Sequence, residues 1–389
     1  MNPRAQFSPV SRREFLGRLS LGAASLAVPP RLFGATGAAP RTLGVALVGL
    51  GSYSRGQLGP ALKVTENCRL AGVVTGHRAK GLLWAKDYGF PETSVYSYET
   101  MHQLADNRDI DIVYVVTPNG LHALHAIAAA KAGKHVICEK PMANTVAECD
   151  AMLAACRAAK VKMSIGYRLH FDPYHQELMR LSREKEFGPL LKMKGDRGFV
   201  MGTKVWRADK KLAGGGAMMD LGVYIIQGAC MAQADATPST GSGQAGAGME
   251  GVGPIAVTAT EIPKTRPDIF TDVEQGTRWT MEFANGAVCE AFTSYAHGAD
   301  TFRAEGDKGW IDFKERAFTY RGAVVATSRG PLKFGPDVNQ QARQMDDFAL
   351  CIREGRESRV PGEMGRRDLA IVEAIYESVR TGQRTLVKV

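Results

Sequence analysis

Leu43-Gly44-Val45-Ala46-Leu47-Val48-Gly49-Leu50-Gly51-Ser52-Tyr53-Ser54 is the stretch on which the fold turns. Six small or branched apolar residues read as a buried strand. Two glycines then break it, and Gly56 to Lys63 reads as a helix. Glycine lets a backbone turn tightly and approach a pyrophosphate, whose charge is met by the helix N-terminus. Gly49, Gly51, Ser52 and Tyr53 are therefore candidate dinucleotide contacts. Ser54 is small but departs from the usual Gly or Ala at the third position of this fingerprint. The motif is weak alone, and its place between a strand and a helix strengthens it.

Working outward, strands alternate with helices to about residue 160, the pattern of a parallel, doubly wound sheet. The second strand, Leu70–Val74, is followed by no acid before Trp84. An acid there usually binds the adenosine ribose hydroxyls. Thr75, His77, Arg78 and Lys80 instead offer donors and positive charge, which favours the extra phosphate of NADP; a solvated helix start is the plainer reading. Ile110–Val116 is an interior strand leading to Thr117, Asn119 and His122, candidates for cofactor or sugar contact. Asn119 reads equally as a helix cap.

His135-Val136-Ile137-Cys138-Glu139-Lys140-Pro141-Met142 carries the chemistry. The β-branched run is a strand, and proline ends it. Glu139 and Lys140 should thus sit at the carboxyl edge of the sheet, where open α/β folds bind ligands. Thr145-Val146-Ala147-Glu148 is a capping box opening a helix to about Ala159.

Beyond 160 the pattern changes. A strand at 161–168 and a helix from Pro173 to about Lys185 precede expected sheet segments at 190–199, 255–262, 276–284, 287–295, 300–305 and 309–313. Asn285-Gly286 is a hairpin signal. These strands predict a large, mainly antiparallel open sheet in an α+β domain over 161–389, after an NADP-binding domain over 41–160. Helices near 339–354 and 365–380 close the chain. A Gly-, Ala- and Ser-rich tract at 232–253 reads as a surface loop.

Gly214-Gly215-Gly216 before an apolar segment predicts a helix start lying close to a ligand. Asp220 and Tyr224 are four apart and share a helical face. Taking hydride from a sugar hydroxyl requires a base, and Tyr224 could serve if positive charge such as Lys140 lowers its phenol pKa. A core tyrosine and a capping aspartate fit the spacing equally well. Arg168, Trp206 and Arg207 are candidates for the cofactor cleft, and Arg168, Tyr295 and His297 for the sugar pocket. Each also reads as a packing or surface residue.

The chain begins with Ser11-Arg12-Arg13-Glu14-Phe15-Leu16 and a weakly apolar run, the pattern of a twin-arginine export signal over 1–40. It points to export in the folded state and a periplasmic protein. That run is too short to span a bilayer, so no stable membrane insertion is expected. Five arginines against one glutamate in the first 39 residues account for much of the net charge of +9. Without a basic stripe elsewhere, nucleic-acid binding is not indicated. Seven scattered cysteines with no Cys-x-x-Cys pair argue for free thiols rather than disulfides or a metal site.

The Gly49–Ser54 turn, Glu139-Lys140-Pro141, Ile165-Gly166-Tyr167-Arg168 and Gly214–Tyr224 occur in the order of the glucose–fructose oxidoreductase / inositol dehydrogenase family. From about residue 42 onward the chain resembles it, with its nearest likeness to the glucose–fructose and aldose–aldose oxidoreductase branch. The resemblance implies Lys140 as the catalytic lysine and Asp220 as a sugar-site acid, with tyrosine at 224 where inositol dehydrogenases carry histidine. It implies an NADP-dependent oxidoreductase that takes an aldose to its aldonolactone and passes the hydride from tightly held cofactor to a second sugar. By analogy a homodimer or homotetramer is expected. A dehydrogenase with exchangeable NADP and a non-catalytic sugar or nucleotide sensor are the rival readings.

Overall fold

The first six strands lie side by side and parallel, in the order β3-β2-β1-β4-β5-β6. They are β1 Leu43–Val48, β2 Cys68–Val74, β3 Val95–Tyr96, β4 Ile112–Val115, β5 His135–Cys138 and β6 Met163–Ile165. The protein is described by a computed structural model over residues 41–234 and 253–388. The expected export signal and nearly all of the Gly-rich tract lie outside those residues.

Strand order reverses between β1 and β4, so the connections that follow them run to opposite sides and leave a crevice at their carboxyl ends. Gly49 leaves β1 there with φ +98°, and a Cβ on it would lie 2.9 Å from the carbonyl oxygen of Val116 just past β4. Only glycine fits that turn. The sixth strand comes from beyond the expected boundary at 160, so the parallel layer runs on to Ile165. The helix Val146–Ala159 starts with both halves of the Thr145/Glu148 capping box formed. Between β3 and β4 the alternation predicts a helix, and the structure has a 3₁₀ turn there, Met101–Asp106. Its two buried apolar residues, Met101 and Leu104, are three apart, which suits a three-residue turn.

The second sheet has nine strands in the order β14-β13-β12-β11-β7-β10-β9-β8-β15. These are β7 Lys192–Gly198, β8 Ala256–Glu261, β9 Gly276–Glu282, β10 Val288–Ser294, β11 Ala299–Gly306, β12 Gly309–Glu315, β13 Val324–Thr327, β14 Gly330–Leu332 and β15 Thr385–Leu386. Every pairing is antiparallel except β10 with β7. Gly286, at φ +83°, turns the β9–β10 hairpin. Along β10 exposed Val288 and Glu290 alternate with buried Cys289 and Ala291, so one face of the sheet is covered and the other open. Helices Val223–Ala232 and Gly362–Thr381 cover the inner face and share a hydrophobic core with the parallel sheet. The helix Gln340–Glu354 returns to the first sheet, where Met345, Phe348 and Ala349 pack with Val45, Leu47 and Leu70. Asp346 on that helix accepts from the backbone N–H of Asn67 at 2.7 Å, tying the two ends of the chain together. All seven cysteines are buried and free.

Candidate active site

At the carboxyl edge of β5 the chain has to place two charges side by side. Glu139 is buried, accepts from the Tyr114 hydroxyl at 2.8 Å and from the Lys140 N–H at 3.2 Å. Its carboxylate presses on Gly166, where a Cβ would sit 2.7 Å from Oε1. That contact explains the glycine in Ile165-Gly166-Tyr167-Arg168. Burial raises the Glu139 carboxyl above its ordinary range, against the opposing effects of Tyr114 and Lys140. With Glu139 turned inward, Lys140 projects the other way.

Its ammonium donates to the backbone carbonyl of Asp220 at 2.9 Å and lies 3.4 Å from Oδ1 of the same residue. It also stands 4.5 Å above the Tyr224 ring centroid. Residues 80 and 84 apart in sequence thus meet at one point. Asp220 is held from three sides, with Arg207 Nε at 3.1 Å and the Tyr295 hydroxyl donating at 3.0 Å to Oδ2. Burial would raise its carboxyl, but Lys140 and Arg207 hold it below the usual range, so it is ionised. Burial likewise raises the Tyr224 phenol, yet Lys140, Arg168 and Arg197 outweigh it and bring it below the ordinary value of 10.0.

The segment carrying Asp220 and Tyr224 begins as a π turn, Met218–Gly222, and continues as the helix Val223–Ala232. Its start is not open to a ligand, contrary to the expectation from Gly214–Gly216. The buried carboxylate of Glu274 accepts from the N–H groups of Gly216 and Met218, both at 2.9 Å, and from the Tyr376 hydroxyl at 3.0 Å. A Cβ on Gly216 would fall 1.8 Å from the Glu274 carbonyl oxygen, and one on Gly215 1.9 Å from the Tyr376 hydroxyl. Close protein atoms, a backbone carbonyl at Gly216 and a tyrosine hydroxyl at Gly215, are what demand these glycines.

A cavity of about 410 Å³ opens over this cluster, between the two sheets. Of the residues expected at the site, Ser52, Tyr53, Thr117, Asn119, His122 and Glu139 line it on the parallel-sheet side. Lys140, at the edge of β5, lines it beside them, and Trp206, Arg207, Asp220 and Tyr224 line the other side. Two of these contribute less than expected. Asn119 neither caps a helix nor offers its amide, which donates to the Ala213 carbonyl at 2.9 Å. Both ring nitrogens of His122 face backbone carbonyls, Pro141 at 2.9 Å and Thr117 at 2.8 Å, leaving no polar atom free.

Other expectations are corrected. Arg168 is buried behind Tyr224, outside the cavity, and donates to Phe318 O, Thr319 O and Gln340. Tyr295 is buried beneath Asp220 and reaches the cavity only through it. His297 is exposed and stacks on Phe292, away from the cleft. Thr75 turns inward to accept from the His77 N–H at 3.2 Å. Lys80 donates to the Leu50 carbonyl and so braces the glycine turn. Arg78 remains exposed at the first residue of the helix Arg78–Tyr88.

The lining adds Gln57, Val116, Arg197, Phe199, Leu221 and Tyr320. Arg197 carried a signal: it falls in the inward phase of β7, after buried Met193 and Gly195. Tyr320 lies in an irregular loop with no pattern to mark it.

The turn after β1 has the form a dinucleotide needs. A Cβ on Gly51 would meet nothing within 4 Å, so this glycine is not required by the protein's own packing and leaves a cradle beside the helix that starts at Ser52. The Ser54 hydroxyl donates to the Gly49 carbonyl at 2.6 Å and locks the turn, which accounts for serine where Gly or Ala is usual. Among the described residues no group of three or more His, Cys, Asp or Glu converges to hold a metal.

Two family profiles cover most of the described chain. Residues 43–167 match an oxidoreductase family with an NAD-binding Rossmann fold, and residues 175–312 match the Gfo/Idh/MocA C-terminal domain. The chain is 26% identical over 348 residues to a D-xylose 1-dehydrogenase (NADP(+)) of Haloarcula marismortui, covering 86% of this chain and 91% of that one. It is 33% identical over 247 residues to a levoglucosan dehydrogenase of Pseudarthrobacter phenanthrenivorans, covering 59% and 60%. The crystal structure of an aldose–aldose oxidoreductase from Caulobacter crescentus, complexed with glycerol, superposes with a TM-score of 0.82 at 38% identity, covering 89% of this chain and all of that one. With both halves of the fold matched in order, the chain belongs to the Gfo/Idh/MocA family of oxidoreductases.

Proposed function

We propose that this protein is an NADP-dependent sugar oxidoreductase that oxidises an aldose at C1 to the aldonolactone. The observation that carries the reading is the meeting of Lys140, Asp220 and Tyr224 in the cavity that the glycine turn also lines. NADP, when bound there, supplies the hydride acceptor. Tyr224, as the phenolate that the surrounding cations favour, takes the proton from the C1 hydroxyl and becomes the neutral phenol. Lys140 donates a hydrogen bond to that oxygen and stabilises the negative charge that develops on it. Asp220, kept ionised by Arg207 and Lys140, accepts from a neighbouring sugar hydroxyl and orients the ring. Exposed Arg78, at the start of the helix that follows β2, and the absence of an acid between them favour a 2′-phosphate.

In the finer reading, the cofactor stays bound and a second aldose or ketose is reduced in the same cavity. The 38% identity to an aldose–aldose oxidoreductase supports it. The second reading, a dehydrogenase with exchangeable NADP, is supported by the likeness to D-xylose 1-dehydrogenase. The twin-arginine pattern favours a periplasmic enzyme, and the open face of the nine-stranded sheet suits a dimer or tetramer.

Absorbance of the purified protein before and after an aldose is added tests the reading directly. Growth of the reduced-nicotinamide band supports it, and no change with either endogenous or added NADP removes it. Product from two sugars mixed without nucleotide selects retained cofactor; a strict requirement for added NADP selects the dehydrogenase.

A further inference from the structure

Arg197 takes no part in the proton transfer just described, yet it forms part of the cavity wall. It faces Asp300 across the β7–β11 pair, where the two residues are register partners. The guanidinium meets Asp300 Oδ1 at 2.6 Å, with both side chains largely buried. Asp300 is itself fixed, because Oδ1 accepts from the Phe318 N–H at 2.9 Å and its carbonyl from the Ala317 N–H at 3.1 Å. The guanidinium carbon lies 5.0 Å from the Tyr224 ring centroid and 5.7 Å from that of Phe318. Gly195, one inward position earlier on β7, permits this approach, since a Cβ there would fall 2.6 Å from Ile225 on the tyrosine's helix. Lys140 stands at 4.5 Å from the same ring and Arg168 at 5.4 Å.

We infer that Arg197, anchored by Asp300, is a positioning residue for Tyr224: it brings from β7 a further positive charge to the phenol that Lys140 faces from the edge of β5 and Arg168 from behind. This rests on the reading of Tyr224 as the proton acceptor. Sheet register, rather than a flexible side chain, sets the distance, so the charge is in place before substrate enters. The groups facing the phenol are Lys140 and Glu139 beyond β5, Arg168 beyond β6, Arg197 on β7, Tyr320 in the loop before β13 and Tyr53 in the glycine turn. Asp220 lies on its own helix, with Arg207 beside it. Burial and Glu139 oppose ionisation of the phenol, and the three cations favour it. Asp300 attenuates Arg197 without cancelling it, because it binds one terminal nitrogen of a charge spread over the whole guanidinium, whose carbon stays over the ring.

The test is titration of the Tyr224 phenol in the full chain, read as the near-ultraviolet tyrosinate difference between each protein and its Tyr224→Phe counterpart. It needs no substrate or cofactor. Arg197→Met is expected to move the midpoint up by about one pH unit, and Arg197→Lys to restore most of it. The acidic limb of kcat/KM for D-glucose or D-xylose with NADP should move in parallel, mainly through kcat. Where Arg197→Met does not fold, Arg197→Gln takes its place. A midpoint and acidic limb unchanged by loss of the guanidinium overturn the inference while leaving the proton-acceptor reading intact. Hydride transfer undiminished in Tyr224→Phe overturns that reading instead, and the phenol titration still decides where Arg197 acts.

Discussion

Replacing Lys140 with Met removes one charge and keeps most of the side chain's volume. The ammonium lies 4.5 Å from the Tyr224 ring centroid. At an effective dielectric of about 20, a unit charge at that distance interacts with a phenolate by roughly 4 kcal/mol. Asp220 lies 3.4 Å from the same ammonium and cancels part of this. Taking half leaves roughly 2 kcal/mol, or about 1.5 units of phenol acidity. The sign follows from the group: losing a cation disfavours the phenolate, so the midpoint rises and the base form is lost at neutral pH. Stopped-flow measurement of hydride transfer, followed at the reduced-nicotinamide band across the neutral to alkaline range, reads this as an acidic limb displaced upward. The limiting rate at high pH should also fall, because the hydrogen bond to the reacting oxygen is gone. An acidic limb that stays where it was would show that Lys140 does not act on the phenol, and the electrostatic account of the site would be wrong.

Other consequences concern the scaffold. Glu274→Gln replaces a carboxylate that accepts at both oxygens with an amide that accepts at one, so an amide oxygen kept toward Met218 and Tyr376 leaves the buried Gly216 N–H facing a donor. The cost should be about 2 kcal/mol, seen as a lower Tm in thermal melts, and an unchanged Tm would deny that this carboxylate holds the helix start. Burial holds His125 at about 4 and His170 at about 3, both below the ordinary 6.5. Their contribution to stability is complete above pH 6.5 and is lost as pH falls toward those folded values, by about 1.4 kcal/mol for each unit of separation per group. Denaturant midpoints measured downward from neutral pH should show the decline, and His125→Gln should flatten it; an equal slope in both proteins would contradict the assignment. Arg78→Ala should raise KM for NADP roughly tenfold and leave NAD unaffected. Equal effects on both nucleotides would mean that Arg78 does not meet the extra phosphate.

What was legible in the sequence was what a short window encodes. The Gly49–Gly51 turn, the strand ending at Glu139-Lys140, the Thr145/Glu148 capping box and the Asn285-Gly286 hairpin each carry their cause within a few residues. The alternation of strands and helices then sufficed for the parallel sheet. Contacts set by distant register were not legible. Glu274 plugs the helix start beneath Gly215 and Gly216 across nearly sixty residues, so glycines that look like a ligand cradle turn out to accommodate a carboxylate. Arg197 and Asp300 face each other only because β7 pairs with β11, and β11 follows β7 by four strands' worth of chain. The same holds for the helix Gln340–Glu354, whose amphipathic face does not say that it covers the first sheet rather than the second. Arg168 was visible as part of a motif, but a charge in a motif does not reveal which way it points. It faces the back of Tyr224 and the ring of Tyr320, not the cleft.

Lys140→Ala and Tyr224→Phe, made singly and together and assayed for single-turnover hydride transfer from an aldose, test the central claim most directly. If the ammonium and the phenol serve one proton transfer, each single change should remove most of the rate and the double variant should be little worse than either. Hydride transfer that survives in the double variant at the rate of the unaltered protein would contradict the account.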